Sequence, residues 1–519
     1  MKWETMVWYI VWLAAFLIGI TALGMIFSRK IKTSDDYMMA DFSLGFFPIC
    51  GSIIATALGS AAVIGKAGKG FEVGMSWIVA TVPFVLFSIL LAVILGPTIR
   101  KLKLYTLPDL FVRRFGKASG IVPALVIAVL YMTPTFGMQI VAMGSILTST
   151  IDISMTSAML LGFVVCVLFT LLGGLPSVAW TDAIQSVLIL VGIVVLFIAG
   201  LNYVGGLDVV VEETPDHLLS LYGAMSPMEM LNYFIIFGPF YLVWQTTWQR
   251  LAAARTEKTA VRSVSTGYLV CGLIAVFSLG VGVIARLVLP AGTDPDLVYT
   301  EFLTTILHPA IGGFLMISVF AAVLTGATSF LLSGATNVSK DIYQGWIAPG
   351  ASDRKVLLVS RLAVSGMALA GLLVALFISD IIVIYTYALS LSAVTMVMPV
   401  LAAMFWKRAT KTGVIVSSVG SLVFAFVWAL IGQPFGIHEV IPGLAVSLIL
   451  LVGVSLLTEH SHDEEVTAYH AGLKHLDDPA KAAAESSGPA EAEAATGTGA
   501  EATTNPEATT RAETKRTRR

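Results

Sequence analysis

Apolar runs of roughly 20 residues recur along this chain, separated by short polar stretches. Such a run is long enough to cross the hydrocarbon of a bilayer as a helix. The pattern predicts about thirteen spans, near 5–27, 43–65, 74–96, 119–147, 155–172, 181–203, 228–248, 264–289, 311–337, 356–379, 381–406, 412–431 and 441–457. The first run is too long for the apolar core of a secretory signal and has no clear small-residue cleavage site. It reads as a retained span. After about residue 459 the pattern stops. Ala, Glu, Thr, Gly and Ser dominate, and the chain ends in Lys515-Arg516-Thr517-Arg518-Arg519. Such a segment buries too little apolar surface to offset its ordering entropy, which predicts a disordered cytoplasmic tail.

Composition agrees with the spans. Charged residues make up 12% of the chain, against about a quarter in soluble domains, and mean hydropathy is +0.87. This is an all-α polytopic membrane protein, expected in the cell (plasma or inner) membrane with the lipid bilayer as its solvent. The net charge of −2 gives no footprint for nucleic acid, and none is expected as a partner. Cys50, Cys166 and Cys271 lie inside apolar segments without metal-ligand spacing and read as small buried residues.

Basic residues orient the spans, because short cytoplasmic loops are enriched in them. Arg29, Lys30 and Lys32 follow the first span, and Arg100, Lys101, Lys103, Arg113, Arg114 and Lys117 the third. Arg250, Arg255, Lys258 and Arg262 follow the seventh, and Lys407, Arg408 and Lys411 the eleventh. The other side holds Lys2, Lys66, Lys69 and Arg286, and the loop 204–227 is acidic without Lys or Arg. The amino terminus is expected outside and the carboxyl terminus inside. Trp248-Gln249-Arg250 reads as an interfacial aromatic followed by an inside-positive charge.

Two spans are interrupted. The second contains Ala55-Thr56-Ala57-Leu58-Gly59-Ser60-Ala61-Ala62, and the seventh contains Phe237-Gly238-Pro239. Transporters place solute and ion sites near the midplane at such breaks, although small residues also pack helices closely and proline kinks helices. The two breaks open successive groups of five spans, as an inverted five-plus-five repeat requires. Ser60, Gln139, Phe237, Tyr241, Trp244, Gln245 and Tyr385 are the candidate solute contacts, with helix packing as the alternative role for each.

The segment Gly173-Gly174-Leu175, followed by Trp180-Thr181-Asp182 and Gln185, brings a carboxylate to the start of an apolar run. An ionisable group there marks an ion path or, with Thr181, a helix cap at the water interface.

That segment resembles the signature of the sodium/solute symporter family, which includes sodium/proline and sodium/glucose carriers. Ser34 to Ala40 with Leu44-Gly45, Thr106 to Asp109 with Arg114-Phe115-Gly116, Trp248 to Lys258, and Ser333 to Tyr343 resemble further family segments in order. The resemblance implies a LeuT-like core of two inverted repeats with an extra amino-terminal helix. The first span and its loop would occupy 1–42, the repeats 43–204 and 205–407, two further spans 408–458, and the tail 459–519. It also implies coupling of inward sodium movement to uptake of a small organic solute, with sodium as coupling ion and no other cofactor.

By the same resemblance, the sodium ligands fall on the backbone of Ala55, Leu58 and Ala322 and on the side chains at 325 and 326. Thr325 carries a hydroxyl; Gly326 does not, so Ser329, Thr328 or a water would have to supply that oxygen, or the site is weak or lost. Asp182 matches a family acid proposed to help sodium leave inward. Proline carriers have an Asp where this chain has Ala57, and sugar carriers a Glu-Gln pair where it has Ala61-Ala62, so neither solute is indicated. Two other readings stand beside sodium symport: a proton-coupled or ion-independent carrier, and a membrane sensor, which would need a signalling domain after the last span. No nucleophile–base constellation or phosphate loop points to an enzyme.

Overall fold

The computed structural model describes residues 3–28, 34–151, 153–172 and 174–459; the expected disordered tail lies, but for its first residue, outside them. The labelled helices are α1 (Trp3–Ser28), α2 (Phe46–Ala57), α3 (Lys66–Val73), α4 (Ile78–Leu90), α5 (Thr133–Thr150), α6 (Met155–Leu172), α7 (Leu175–Val204) and α8 (Pro227–Ile236). They continue as α9 (Gln245–Ala253), α10 (Glu257–Ala285), α11 (Pro309–Thr336), α12 (Asp353–Phe377), α13 (Ile381–Phe405), α14 (Lys411–Leu430) and α15 (Val440–Leu457). Among the described residues, ten helical stretches are long and apolar enough to cross a membrane. The thirteen expected spans exceed that number because α2 and α6 are short and 227–253 is interrupted.

Large apolar side chains face outward along the helices, while a set of hydroxyls is buried within the core. Ile18, Phe426, Val427 and Ile449 are exposed, while the hydroxyls of Ser52, Thr56, Thr325 and Ser329 are buried. That arrangement suits a hydrocarbon solvent, in which backbone and side-chain polar groups must be satisfied internally. Helix α11 runs through the centre, packed by α1, α2, α5, α7 and α12, and every residue from Leu315 to Thr336 is buried. Helices α2 and α7 approach closely at Gly51, where a Cβ would stand 2.5 Å from the Ala183 Cα.

Both expected breaks are present. Helix α2 ends at Ala57, and Leu58 leaves helical geometry with ψ 35°. A wide turn at Ala61–Gly65 restarts the chain as α3, which ends at Gly74, where φ is +61°. Lys66 and Lys69 therefore sit on a helix rather than in an outer loop. In the second break, α8 stops at Ile236 and Gly238 adopts φ −104°, ψ −87° ahead of Pro239. Proline has no N–H to continue the ladder; a single tight 3-10 turn spans Pro239–Leu242, and α-helix resumes at Gln245.

Candidate functional site

Ending α2 at Ala57 frees carbonyls of its last turn, since the final four of any helix lack an intrahelical donor. The Ala55 carbonyl is one of them. Thr325 on α11 places its Oγ1 2.9 Å from the Ala55 oxygen and 3.0 Å from the Ala322 oxygen. Three oxygens from two helices thus meet beside the break, with Leu58 at its edge. Gly326 adds no side-chain oxygen. The Gln139 amide occupies the space in front of it: a Cβ on Gly326 would lie 2.9 Å from Gln139 Cδ and Nε2. Gln139 Oε1 accepts the Ser60 N–H at 3.2 Å.

Neither proposed substitute for the missing hydroxyl is free. Thr328 Oγ1 donates to its own helix at Thr325 O, 3.1 Å away. Ser329 Oγ is shared with Thr56 Oγ1 (2.9 Å) and Arg250 Nη2 (2.8 Å).

Arg250 is where the sequence reading needs correction. It is buried, as are Trp248 and Gln249, so Trp248-Gln249-Arg250 is not an interfacial segment. Arg250 Nε donates to Ser52 Oγ (2.9 Å), Nη2 to Thr56 and Ser329 (both 2.8 Å), and Nη1 to the Thr246 carbonyl (3.1 Å). Its Nη2 stands 3.5 Å from Asp182 Oδ2, which also accepts from Ser52 Oγ at 2.6 Å.

Asp182 and Thr181 do not cap a helix. The N-cap of α7 is Gly174, so Asp182 lies two turns inside, and Thr181 Oγ1 donates to Ser177 O at 2.9 Å. The network ties α2, α7, α9 and α11 together.

A cavity lies between the two breaks. Gln139, Phe237, Tyr241, Trp244 and Tyr385 line it. Tyr241 and Tyr385 share a hydrogen bond of 2.7 Å between their hydroxyls. The Tyr241 ring packs edge-on against Trp244 at 5.3 Å and Phe84 at 4.7 Å. Two of the seven expected solute contacts lie elsewhere. Ser60 is buried off the cavity wall, and Gln245 Oε1 accepts the Leu107 N–H at 2.8 Å. Lining residues that the sequence reading passed over include Thr56, Lys66, Trp77 and Phe84. Thr56 also belongs to the Arg250 network, so one hydroxyl links cavity and ion pair.

Outside the spans, Asp296 fixes the start of α13, the helix that carries Tyr385. Its Oδ2 accepts the Ile381 N–H at 2.9 Å. Burial, with Asp380 and Asp294 nearby, pushes its carboxyl up to about 7, against the pull of that hydrogen bond.

A sequence model described as the sodium:solute symporter family matches residues 37–420. Among characterised proteins, the osmoregulated proline transporter OpuE of Bacillus subtilis is 26% identical, over 87% of this chain and 95% of its own length. The sodium/proline symporter of Escherichia coli is 26% identical (85% and 91%), and the sodium/glucose cotransporter of Vibrio parahaemolyticus 23% (87% and 90%). Among solved structures, a sodium-coupled sialic acid symporter in a substrate-bound outward-open state aligns with a TM-score of 0.76 at 20% identity, covering 87% of this chain and 98% of that one. The nucleobase-cation-symport-1 transporter Mhp1 in a closed conformation aligns at 0.57 and 13% identity, covering 83% and 97%. These are LeuT-like folds.

Proposed function

This chain belongs to the sodium:solute symporter family, and we propose that its ion and its solute occupy adjoining sites at the break after α2. It is a multi-pass secondary transporter that couples solute uptake to sodium. Sodium would be held by the backbone oxygens of Ala55, Leu58 and Ala322 and by the Thr325 hydroxyl. A hard cation takes oxygen ligands, and unwound carbonyls provide them without a buried anion. The observation that carries this placement is the Thr325 hydroxyl at 2.9 and 3.0 Å from the Ala55 and Ala322 carbonyls. The solute would sit against Gln139, Phe237, Tyr241, Trp244 and Tyr385.

With the amino terminus outside, α2 runs outward and α11 inward. Ser52 precedes Ala55, and Ser329 follows Thr325, by about one helical turn. The Arg250–Asp182 pair then lies one turn cytoplasmic of the sodium oxygens. It would close the inward path when intact, and Asp182 would meet sodium when Arg250 swings away.

Thermal unfolding of purified protein across a sodium series, with choline as the balancing cation, tests the ion site. A ligand that binds only the folded state raises the transition by mass action. The wild type should gain stability with sodium, and Thr325→Ala should gain less. Equal curves in sodium and choline would overturn the placement and favour the proton-coupled or ion-independent reading that Gly326 keeps open.

A further inference from the structure

Lys66 begins α3, directly after the wide turn that restarts the broken helix. It is the one Lys or Arg among the residues that line the cavity, and no Asp or Glu is among them. Its Nζ donates to Thr81 Oγ1 at 3.1 Å and lies 5.5 Å above the Phe84 ring. Among the described residues no carboxylate pairs with it. Lys69, one turn on, is different: it is paired with Glu72 at 2.6 Å.

An ammonium on the wall of a membrane-embedded cavity is costly without a counter-charge. The neighbouring lining supplies none: Thr56, Ala57, Ala61 and Ala62 are hydroxyl or methyl groups. It supplies a further donor instead. Gln139 Nε2 is buried without a hydrogen-bond acceptor, and Trp244, also on the wall, interacts with the Tyr131 hydroxyl. A buried donor left unpaired is uncommon, and at a binding site it marks where a ligand's acceptor belongs.

We propose that Lys66 anchors the carboxylate of the transported solute, so that this carrier takes a small organic acid bearing a carboxylate and no ammonium. The inference rests on the reading of the cavity as the solute site. An amino acid would bring a second ammonium into a cavity that offers it no carboxylate, while Lys66 already covers a face of Phe84. A sugar would leave Lys66 without a counter-charge. A carboxylate satisfies Lys66 with one oxygen and accepts from a further donor with the other, and its apolar remainder packs on the aromatic wall.

The test uses purified full-length protein in sodium buffer. Lactate, pyruvate and propionate are compared with lactamide and propionamide, and with proline and glucose, by thermal shift and by uptake into proteoliposomes. At least one of the three acids should raise the transition and be taken up, while the amides, proline and glucose do not. Lys66→Met should weaken that acid at least about tenfold, with Lys66→Arg retaining part of the affinity and the sodium-induced shift intact in both. Should the variants fail to fold, the comparison of acid with amide on the wild type decides. Sodium-dependent uptake of proline, glucose or an amide, or no response to any of the three acids, would overturn the assignment of Lys66 and leave the sodium-coupled reading standing. Loss of the sodium effect itself would instead strike the placement of the ion under the proposed function.

Discussion

Arg250 and Asp182 form an ion pair with 3.5 Å between Nη2 and Oδ2, and each side chain is 1% exposed. Ser52 bridges them, accepting from Arg250 Nε and donating to Asp182 Oδ2. Two opposite charges on α9 and α7 are thereby held against α2, next to the oxygens assigned to sodium. Breaking such a pair by removing one partner leaves an uncompensated charge and costs about 3–5 kcal/mol, whereas removing both costs much less.

Asp182→Asn should therefore lower unfolding stability and slow transport turnover while leaving solute binding from outside largely intact. Pairing it with Arg250→Met should recover much of the lost stability. A double-mutant cycle on thermal unfolding measures this, and strictly additive losses would show that the two charges act independently.

Thr325→Ala removes the hydroxyl that joins the Ala55 and Ala322 carbonyls. Sodium affinity should fall by about 1–3 kcal/mol, the scale of a lost buried polar partner, and Thr325→Ser should restore it. Sodium titrations of both variants, followed by thermal shift, give the comparison. An unchanged titration for Thr325→Ala would remove Thr325 from the ligand set.

Gly326→Ser adds an oxygen where the ligand set lacks one, but its Cβ runs into the Gln139 amide at 2.9 Å. Overpacking of this kind costs about 1–3 kcal/mol. The single substitution should reduce stability, and only Gly326→Ser with Gln139→Ala should raise sodium affinity above that of Gln139→Ala alone. A stable Gly326→Ser with improved affinity would mean that Gln139 moves aside freely.

A cysteine at Asp208, in the acidic loop, should react with an impermeant thiol reagent from outside, and one at Arg255 should not. Both positions are exposed in the fold, so accessibility from the wrong side is the only barrier. The opposite labelling pattern would invert the proposed orientation.

Asp296 gives a pH signature. Its folded carboxyl titrates near 7, above its ordinary value of 3.8, because burial and neighbouring acids oppose ionisation. The contribution is fully present below about 3.8 and is lost as pH rises through 7. Asp296→Asn keeps an acceptor for the Ile381 N–H and cannot ionise. It should raise the melting temperature relative to wild type more at pH 8 than at pH 5. An equal difference at both values would show that Asp296 does not titrate in this range.

Much of this was legible in the linear pattern. Hydrophobic runs located the helices, because each span must satisfy its backbone internally. Gly59 and Pro239 located the breaks, because helix continuity is a local property that a missing side chain or a missing N–H disturbs directly. The order of motifs at 34–45, 106–116, 173–185, 248–258 and 333–343 carried the family.

The charged side chains were not legible in that way. Arg250 follows an apolar run and a tryptophan, as an interfacial arginine does, and Lys66 follows the second span as an outer-loop lysine does. In the fold, one is buried against Asp182, Ser52, Thr56 and Ser329, and the other faces a cavity built from several helices. Hydropathy reports the average solvent of a segment. Whether a charge can stay inside depends on oxygens or rings from distant segments that only tertiary packing brings within about 3–6 Å.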